Sequence, residues 1–205
     1  MSRSPMSDTP NNQEVPARKA SIVWRLTIRL TGVMPIVWRT ILVRPDTKLA
    51  MLHRYLQAAM GWRECHQYMF KIDGKEYGIP NRDYANRKVY DARRYNLARL
   101  FPNHPSRFEY VYDFGDWWEH TIEIEGEEAA EYRKQYPVCV DGAEPCPPED
   151  AGGPPGYREL LLVLRDPSHP QHDDFSKWAE SQFYSGRFWV QDATWRMRDV
   201  RRGLI

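Results

Sequence analysis

The chain has 205 residues, 41% of them hydrophobic and 13% aromatic, with a formal net charge of +1. This supplies one packed core with a single domain as the default, and the balanced charge argues against a non-specific polyanion binder. Three scattered cysteines, a polar N-terminus and no apolar run of membrane length point to a protein of the reducing cytoplasm, away from membranes.

Residues 1–20 are rich in Ser, Pro, Asn and charge without periodicity and are predicted to be a disordered tail, leaving 21–205 as a single domain. Ile22 to Leu30 alternates as a strand, Thr31-Gly32 turns, and Ile36 to Val43 forms a second strand opened by Pro35. Asp46 or Thr47 then caps a helix in which Leu49, Leu52, Leu56, Ala59 and Met60 make one apolar stripe, and Gly61 ends it. Tyr68 to Ile72 and Lys75 to Tyr77 are strands joined at Asp73-Gly74. Hairpin, helix, then further strands is the order of an α+β, β-grasp-like roll: a mixed sheet with one main packed helix and additional C-terminal helices.

Ile79 to Tyr95 reads as a basic, irregular loop, and Asn96 to Phe101 as one helical turn. From Arg82 to Arg99 there are six basic and two acidic residues, from Glu123 to Asp150 two basic and nine acidic, and from Arg187 to Arg202 five basic and two acidic. Such asymmetry describes either opposing faces of one fold or a surface for a charged partner. Glu127 to Gln135 is expected to form a short helix. Tyr136 to Gly156 holds so many Pro and Gly that regular structure is excluded there. Helices are predicted over Tyr157 to Leu164, Asp174 to Ser181, and Asp192 to about Arg202.

The densest stretch is Tyr110 to Ile124. Phe108, Tyr110, Tyr112 and Phe114 share one strand face, and Trp118, His120, Ile122 and Ile124 share the facing one. A three-residue Gly115-Asp116-Trp117 loop pairs Phe114 with Trp118, Tyr112 with His120 and Tyr110 with Ile122, and so keeps one face apolar. His120 then lies inside, as a buried histidine bonded to a hydroxyl or carbonyl. Asp113 faces Glu119 across the ladder, with Asp116 at the turn. Opposed like charges either point into water or mark a cation or substrate site.

Pro35-Ile-Val-Trp-Arg39, Leu56-Gln-Ala-Ala-Met-Gly-Trp62, Tyr112-Asp-Phe-Gly-Asp116 with Trp118 and His120, and Cys146-Pro-Pro-Glu-Asp150-Ala-Gly-Gly153 with Gly156-Tyr157 occur in that order. Together they resemble the plasmid pRiA4b ORF-3-like family across about Ile22 to Arg202. The resemblance implies an α+β roll of the MM3350-like type and an association with plasmids or insertion elements, with no established activity. Two departures stand out: members often carry a cysteine where this chain has Ala151 and a histidine where it has Tyr68, and both changes remove metal donors.

Three chemistries compete. Zinc would need Cys139 and Cys146 completed by His120 or His66, a looser spacing than the usual close pairs. A metal-dependent hydrolase or nuclease would draw on Asp113, Asp116, Glu119 and His120 with Mg²⁺ or Mn²⁺, but strand parity sends His120 to the opposite face from Asp113 and Glu119. Nucleic-acid binding would use Arg93 and Arg94 with neighbouring tyrosines, and the arginines of the last helix. The expectation is an interaction module without a cofactor, contacting an unidentified protein or nucleic acid through Asp116, Trp117, Arg93 and Arg94. Of the tryptophans, Trp24, Trp38 and Trp62 belong to the core or its edge, and Trp117 and Trp189 to the surface.

Overall fold

The computed structural model describes residues 21–80, 88–104, 106–182 and 186–204. The predicted tail over residues 1–20 and the first part of the basic loop, residues 81–87, lie outside them. Eight strands form one mixed sheet: β1 (Ile22–Leu30), β2 (Trp38–Val43), β3 (Tyr68–Ile72), β4 (Lys75–Gly78), β5 (Val89–Asp91), β6 (Ser106–Tyr112), β7 (Trp118–Ala129) and β8 (Val138–Ala143). Their order across the sheet is β5-β4-β3-β6-β7-β1-β2-β8, all antiparallel except the β4–β5 pair. The helices are α1 (Leu49–Met60), α2 (Leu97–Leu100), α3 (Gly153–Arg165), α4 (His172–Ser181) and α5 (Val190–Arg202). No helix among the described residues is long and apolar enough to cross a membrane.

The apolar stripe of α1 does what its spacing requires. Leu49, Leu52, Leu56 and Ala59 are at most 1% exposed, and Gly61 closes the helix in the left-handed conformation with its N–H on the Gln57 carbonyl. Neither Asp46 nor Thr47 caps it: the N-cap position is Lys48, without a side-chain bond. Nine of its twelve residues are buried, more than one amphipathic face supplies, because α5, which also packs on β8, covers a further side of α1. Leu26, Ile28, Phe70, Tyr110, Tyr112 and Trp118, all fully buried, line the sheet face beneath. A smaller cluster of Val23, Leu42, Tyr136 and Val138 forms separately.

Several segments depart from the sequence expectation. The Pro/Gly stretch after Tyr136 does contain regular structure: β8 pairs with β2 as an edge strand, with Val140 bulged between the Thr40–Asp141 and Ile41–Cys139 pairs. Its outward edge is satisfied by one side chain, since Thr194 Oγ1 accepts from the Cys139 N–H and donates to its carbonyl. No helix forms over 127–135. The strand β7 runs on to Ala129, because β1 continues to pair with it beyond a bulge at Glu125. Within the loop expected over 79–95, Val89–Asp91 adds a short parallel strand against β4, and a 3-10 helix follows at Ala92–Arg94. The second strand begins at Trp38, and Pro35 lies before it behind a cis Met34–Pro35 bond.

The central hairpin keeps the predicted parity and changes the partners. Tyr112 faces Trp118, Tyr110 faces His120 and Phe108 faces Ile122, a slide of two residues that leaves the paired side chains on their predicted faces and moves Asp113 and Phe114 into the loop. The loop is five residues, 113–117, with Asp113 and Trp117 both at positive φ and the Trp117 N–H closing on the Asp113 carbonyl at 2.6 Å. Asp113 leaves the β6–β7 ladder at its positive φ, while its N–H still bonds the Gln67 carbonyl at the entry to β3. Glu119 therefore faces Val111, and the expected opposition of Asp113 and Glu119 does not occur.

Candidate functional site

The five-residue turn carries Asp113 out of the β6–β7 ladder and buries it, 7% exposed, at the end of the sheet. Its Oδ1 accepts from the Gly115 N–H at 2.8 Å, which fixes the carboxylate and leaves Oδ2 turned towards His66. His66 arrives from the segment between α1 and β3. That segment is held by the Trp62 indole N–H on the Pro147 carbonyl, and by the Gln57 amide oxygen, which accepts from the Glu64 N–H. Glu149 and Asp150 come from the loop after β8. Glu149 is 4% exposed, accepting from the Arg63 N–H at 2.8 Å and lying 3.1 Å by each oxygen from the Tyr112 hydroxyl.

These pieces converge on one atom. His66 Nε2 lies 3.2 Å from Asp150 Oδ1, 3.7 Å from Asp113 Oδ2 and 3.9 Å from Glu149 Oε2. It is buried and makes no hydrogen bond of acceptable geometry, even to Asp150. Cys65 Sγ adjoins from the other side, 3.7 Å from the Tyr112 hydroxyl. Donor atoms of His66, Asp113 and Asp150 all lie within 4.8 Å of one another, as do those of Cys65, His66 and Glu149. Burial pushes the Cys65 thiol above its ordinary pKa, and burial followed by the Glu149 charge pushes the Tyr112 phenol well above its own. Tyr112 thus stays a neutral donor that orients Glu149.

Asp116 completes the neighbourhood without joining the cluster. Its Oδ2 accepts from the Gly152 N–H at 3.0 Å and so ties the hairpin turn to the Pro/Gly loop. Gly153 sits against the same turn at φ +68°, where a Cβ would come within 2.5 Å of the Asp116 carbonyl. Trp117 is 42% exposed, with Lys71 over its ring.

The remaining sequence candidates lie elsewhere. His120 is fully buried, its Nδ1 donating to the carbonyls of Trp118 and Tyr110 at 3.1 and 3.3 Å, and burial holds its pKa down to about 4. It is a core histidine outside the carboxylate cluster. Cys139 donates to the Asp141 carbonyl, burial raises its thiol to about 11 and that of Cys146 still higher, and neither belongs to a donor cluster among the described residues. Arg93 and Arg94 both pair with Asp91 beside β5, Arg93 through Nε and Nη2 together. Of the candidates, the fold brings His66 and Asp113 together and leaves Glu119, His120, Cys139 and Cys146 out. Cys65, Glu149 and Asp150 were not singled out from sequence. Their only signal was adjacency: Cys65 to His66, and the two acids to the Cys146-Pro-Pro motif.

A helix-backed mixed sheet with a histidine–carboxylate cluster at one hairpin end defines an α+β protein with a candidate cation centre. The chain belongs to the plasmid pRiA4b ORF-3-like family, whose model matches residues 22–192. It is similar to the uncharacterised protein y4hQ of Sinorhizobium fredii, 40% identical over 166 residues, or 80% of this chain and 84% of the relative. Its structure is similar to the crystal structure of MM3350, a protein of unknown function from Methanosarcina mazei Go1. The TM-score is 0.75 at 28% identity, covering 84% of this chain and 98% of that one. Ala151 follows Asp150 directly and Tyr68 pairs with Tyr112, so both adjoin the cluster.

Proposed function

We propose that the protein is a divalent-cation-binding module whose cation is held by His66, Asp113 and Asp150, with Glu149 beside them. One observation carries the proposal: carboxylates from two distant segments face a single buried imidazole nitrogen that makes no hydrogen bond. Three acid oxygens turned towards a lone pair repel it, and a positive charge between them removes the conflict. Donors about 2.0–2.2 Å from a shared zinc, at angles of about 90–110°, lie about 2.8–3.6 Å apart, close to the 3.2 and 3.7 Å that separate His66 Nε2 from Asp150 and Asp113. A mixed nitrogen and oxygen set suits Zn²⁺ or Mn²⁺ better than the all-oxygen preference of Ca²⁺.

The test is elemental analysis of purified protein, followed by thermal melts of chelator-treated protein with Zn²⁺, Mn²⁺ or Mg²⁺. A cation at about a hundredfold its Kd adds about 2.7 kcal/mol, which raises Tm by about 5–11 °C. His66→Ala and Asp113→Asn should lose that increment. A wild-type melt indifferent to all three ions refutes the proposal and makes the imidazolium itself the positive charge.

A second reading, a metal-dependent hydrolase, draws on the exposure of the Asp150 side chain, 66%, at the mouth of the cluster, which leaves room for a bound water. Metal-dependent ester hydrolysis that disappears in Glu149→Gln supports it. For cellular setting, three unpaired thiols and the family's plasmid name support a cytoplasmic protein carried by mobile DNA. Its partner, a protein or nucleic acid, would meet the Asp116–Trp117 turn. The opening order of hairpin then helix supports a β-grasp-like roll as the architectural type.

A further inference from the structure

Beside the cation cluster, a cavity of about 290 Å³ opens between the C-terminal end of α1, the Pro145–Glu149 segment and α5. Arg63, Arg187 and Arg196 line it, with Gln182 and Cys146, and Glu149 is the one carboxylate among its described lining residues. Both oxygens of Glu149 are already engaged by the Arg63 N–H and the Tyr112 hydroxyl, and Oε2 looks towards His66. The wall thus sets three arginine side chains against one carboxylate among its described residues.

Buried Arg39 adds to that charge, and Arg196 itself is half-buried. Arg39, 1% exposed, donates to the carbonyls of Trp38, Ala59, Ala143 and Glu144 and stacks on the Phe188 ring at 3.6 Å. Arg196 donates through Nε to the Ala58 carbonyl. Neither forms a salt bridge among the described residues; Arg39 feels the Arg196 charge, and the Asp192 carboxylate, one turn earlier on α5, acts on Arg196. The thiols near them, Cys139 and Cys146, are held neutral by burial and supply no countercharge.

Capping the α1 carbonyls accounts for Arg39 and for the Nε of Arg196. It does not account for the rest of Arg196. Its two terminal nitrogens make no hydrogen bond among the described residues, and Nη2 stands over Gly61 at the cavity wall. A guanidinium with one nitrogen anchored and two left over presents a fixed fork, the geometry that receives two oxygens of a phosphate.

We infer that this cavity is an anion subsite for a small phosphate-bearing molecule, its phosphate received by the fork of Arg196 with Arg63 and Arg187 at the rim. The inference extends the cation reading and does not depend on it, since the two sites share only Glu149.

The experiment is calorimetric titration of chelator-treated, metal-free protein with inorganic phosphate and with glycerol phosphate, acetate at equal ionic strength serving as control. One-to-one binding of both phosphates with a Kd of about 1 mM or tighter, and none of acetate, is expected. Arg196→Lys, which keeps the charge and loses the fork, and Arg187→Gln, on the exposed rim, should each weaken phosphate by roughly tenfold. Cation titrations of Arg187→Gln should match wild type. Folded wild-type protein that shows no saturable phosphate binding, or variants that both keep wild-type affinity, overturn the inference whether or not a cation binds.

Discussion

Mild acid should destabilise this protein through two imidazoles that are buried without an acidic partner. His53 lies under the sheet, stacked on Tyr68 with ring centroids 3.6 Å apart, and shares a 2.7 Å hydrogen bond with the Tyr110 hydroxyl. Burial, reinforced by the nearby Arg54 charge, lowers its pKa from 6.5 to about 3, and burial lowers that of His120 to about 4. In the unfolded chain both titrate near about 6.5. The folded pKa values lie below the unfolded ones, so the unfolded state binds more protons in between. Stability present above that pH is then lost as the pH falls. Between pH values of about 7.5 and 5.5, each imidazole costs about 1.3 kcal/mol, about 2.7 for the pair. A drop in Tm of about 5–11 °C follows for a chain of this size. The assay is urea unfolding at three pH values across that window, above the range where most carboxylates titrate. His120→Gln should be less stable at every pH, by about 1–3 kcal/mol for a lost buried bond, yet should show about half the wild-type pH dependence. A wild-type unfolding free energy that stays flat across the window, or a His120→Gln variant with the full slope, refutes the reasoning.

Gly153→Ala should destabilise by on the order of 2–3 kcal/mol, because the added Cβ meets the Asp116 carbonyl at 2.5 Å in a backbone conformation that alanine resists. The same variant should weaken cation binding, read by the Zn²⁺-dependent rise in Tm, since it pushes the Asp113 turn away from the Glu149–Asp150 loop. Tyr110→Phe removes the hydroxyl that both His53 Nδ1 and Gln57 Nε2 use, so urea unfolding should show a loss of about 2 kcal/mol. A loss within about 0.5 kcal/mol would mean that those groups find other partners.

Much of the fold was legible because it is local. Alternation along Phe108, Tyr110 and Tyr112, and along Trp118, His120 and Ile122, put the correct side chains inside although the partners moved by two residues. A slide of two preserves parity, so the apolar pattern alone does not choose between a loop of three and a loop of five. The five-residue loop is the one in which Asp113 and Trp117 take positive φ and the Trp117 N–H closes on the Asp113 carbonyl. Likewise nothing in the spacing along α1 marks His53 and Gln57, which share the hydroxyl of Tyr110, more than fifty residues away.

The sequence by itself determined which faces are apolar, where α1 begins its stripe and ends at Gly61, and that His120 goes inside, because each follows from the spacing of neighbours along the backbone. Only the tertiary structure decided that Val138–Ala143 becomes an edge strand despite its glycine and the prolines around it, since pairing to β2 and the Thr194 hydroxyl supply what local propensity does not. It also decided that His66 meets Asp113, Glu149 and Asp150. Donors from three separate stretches carry no shared period, and only closure of the sheet around the 113–117 turn brings them to one point.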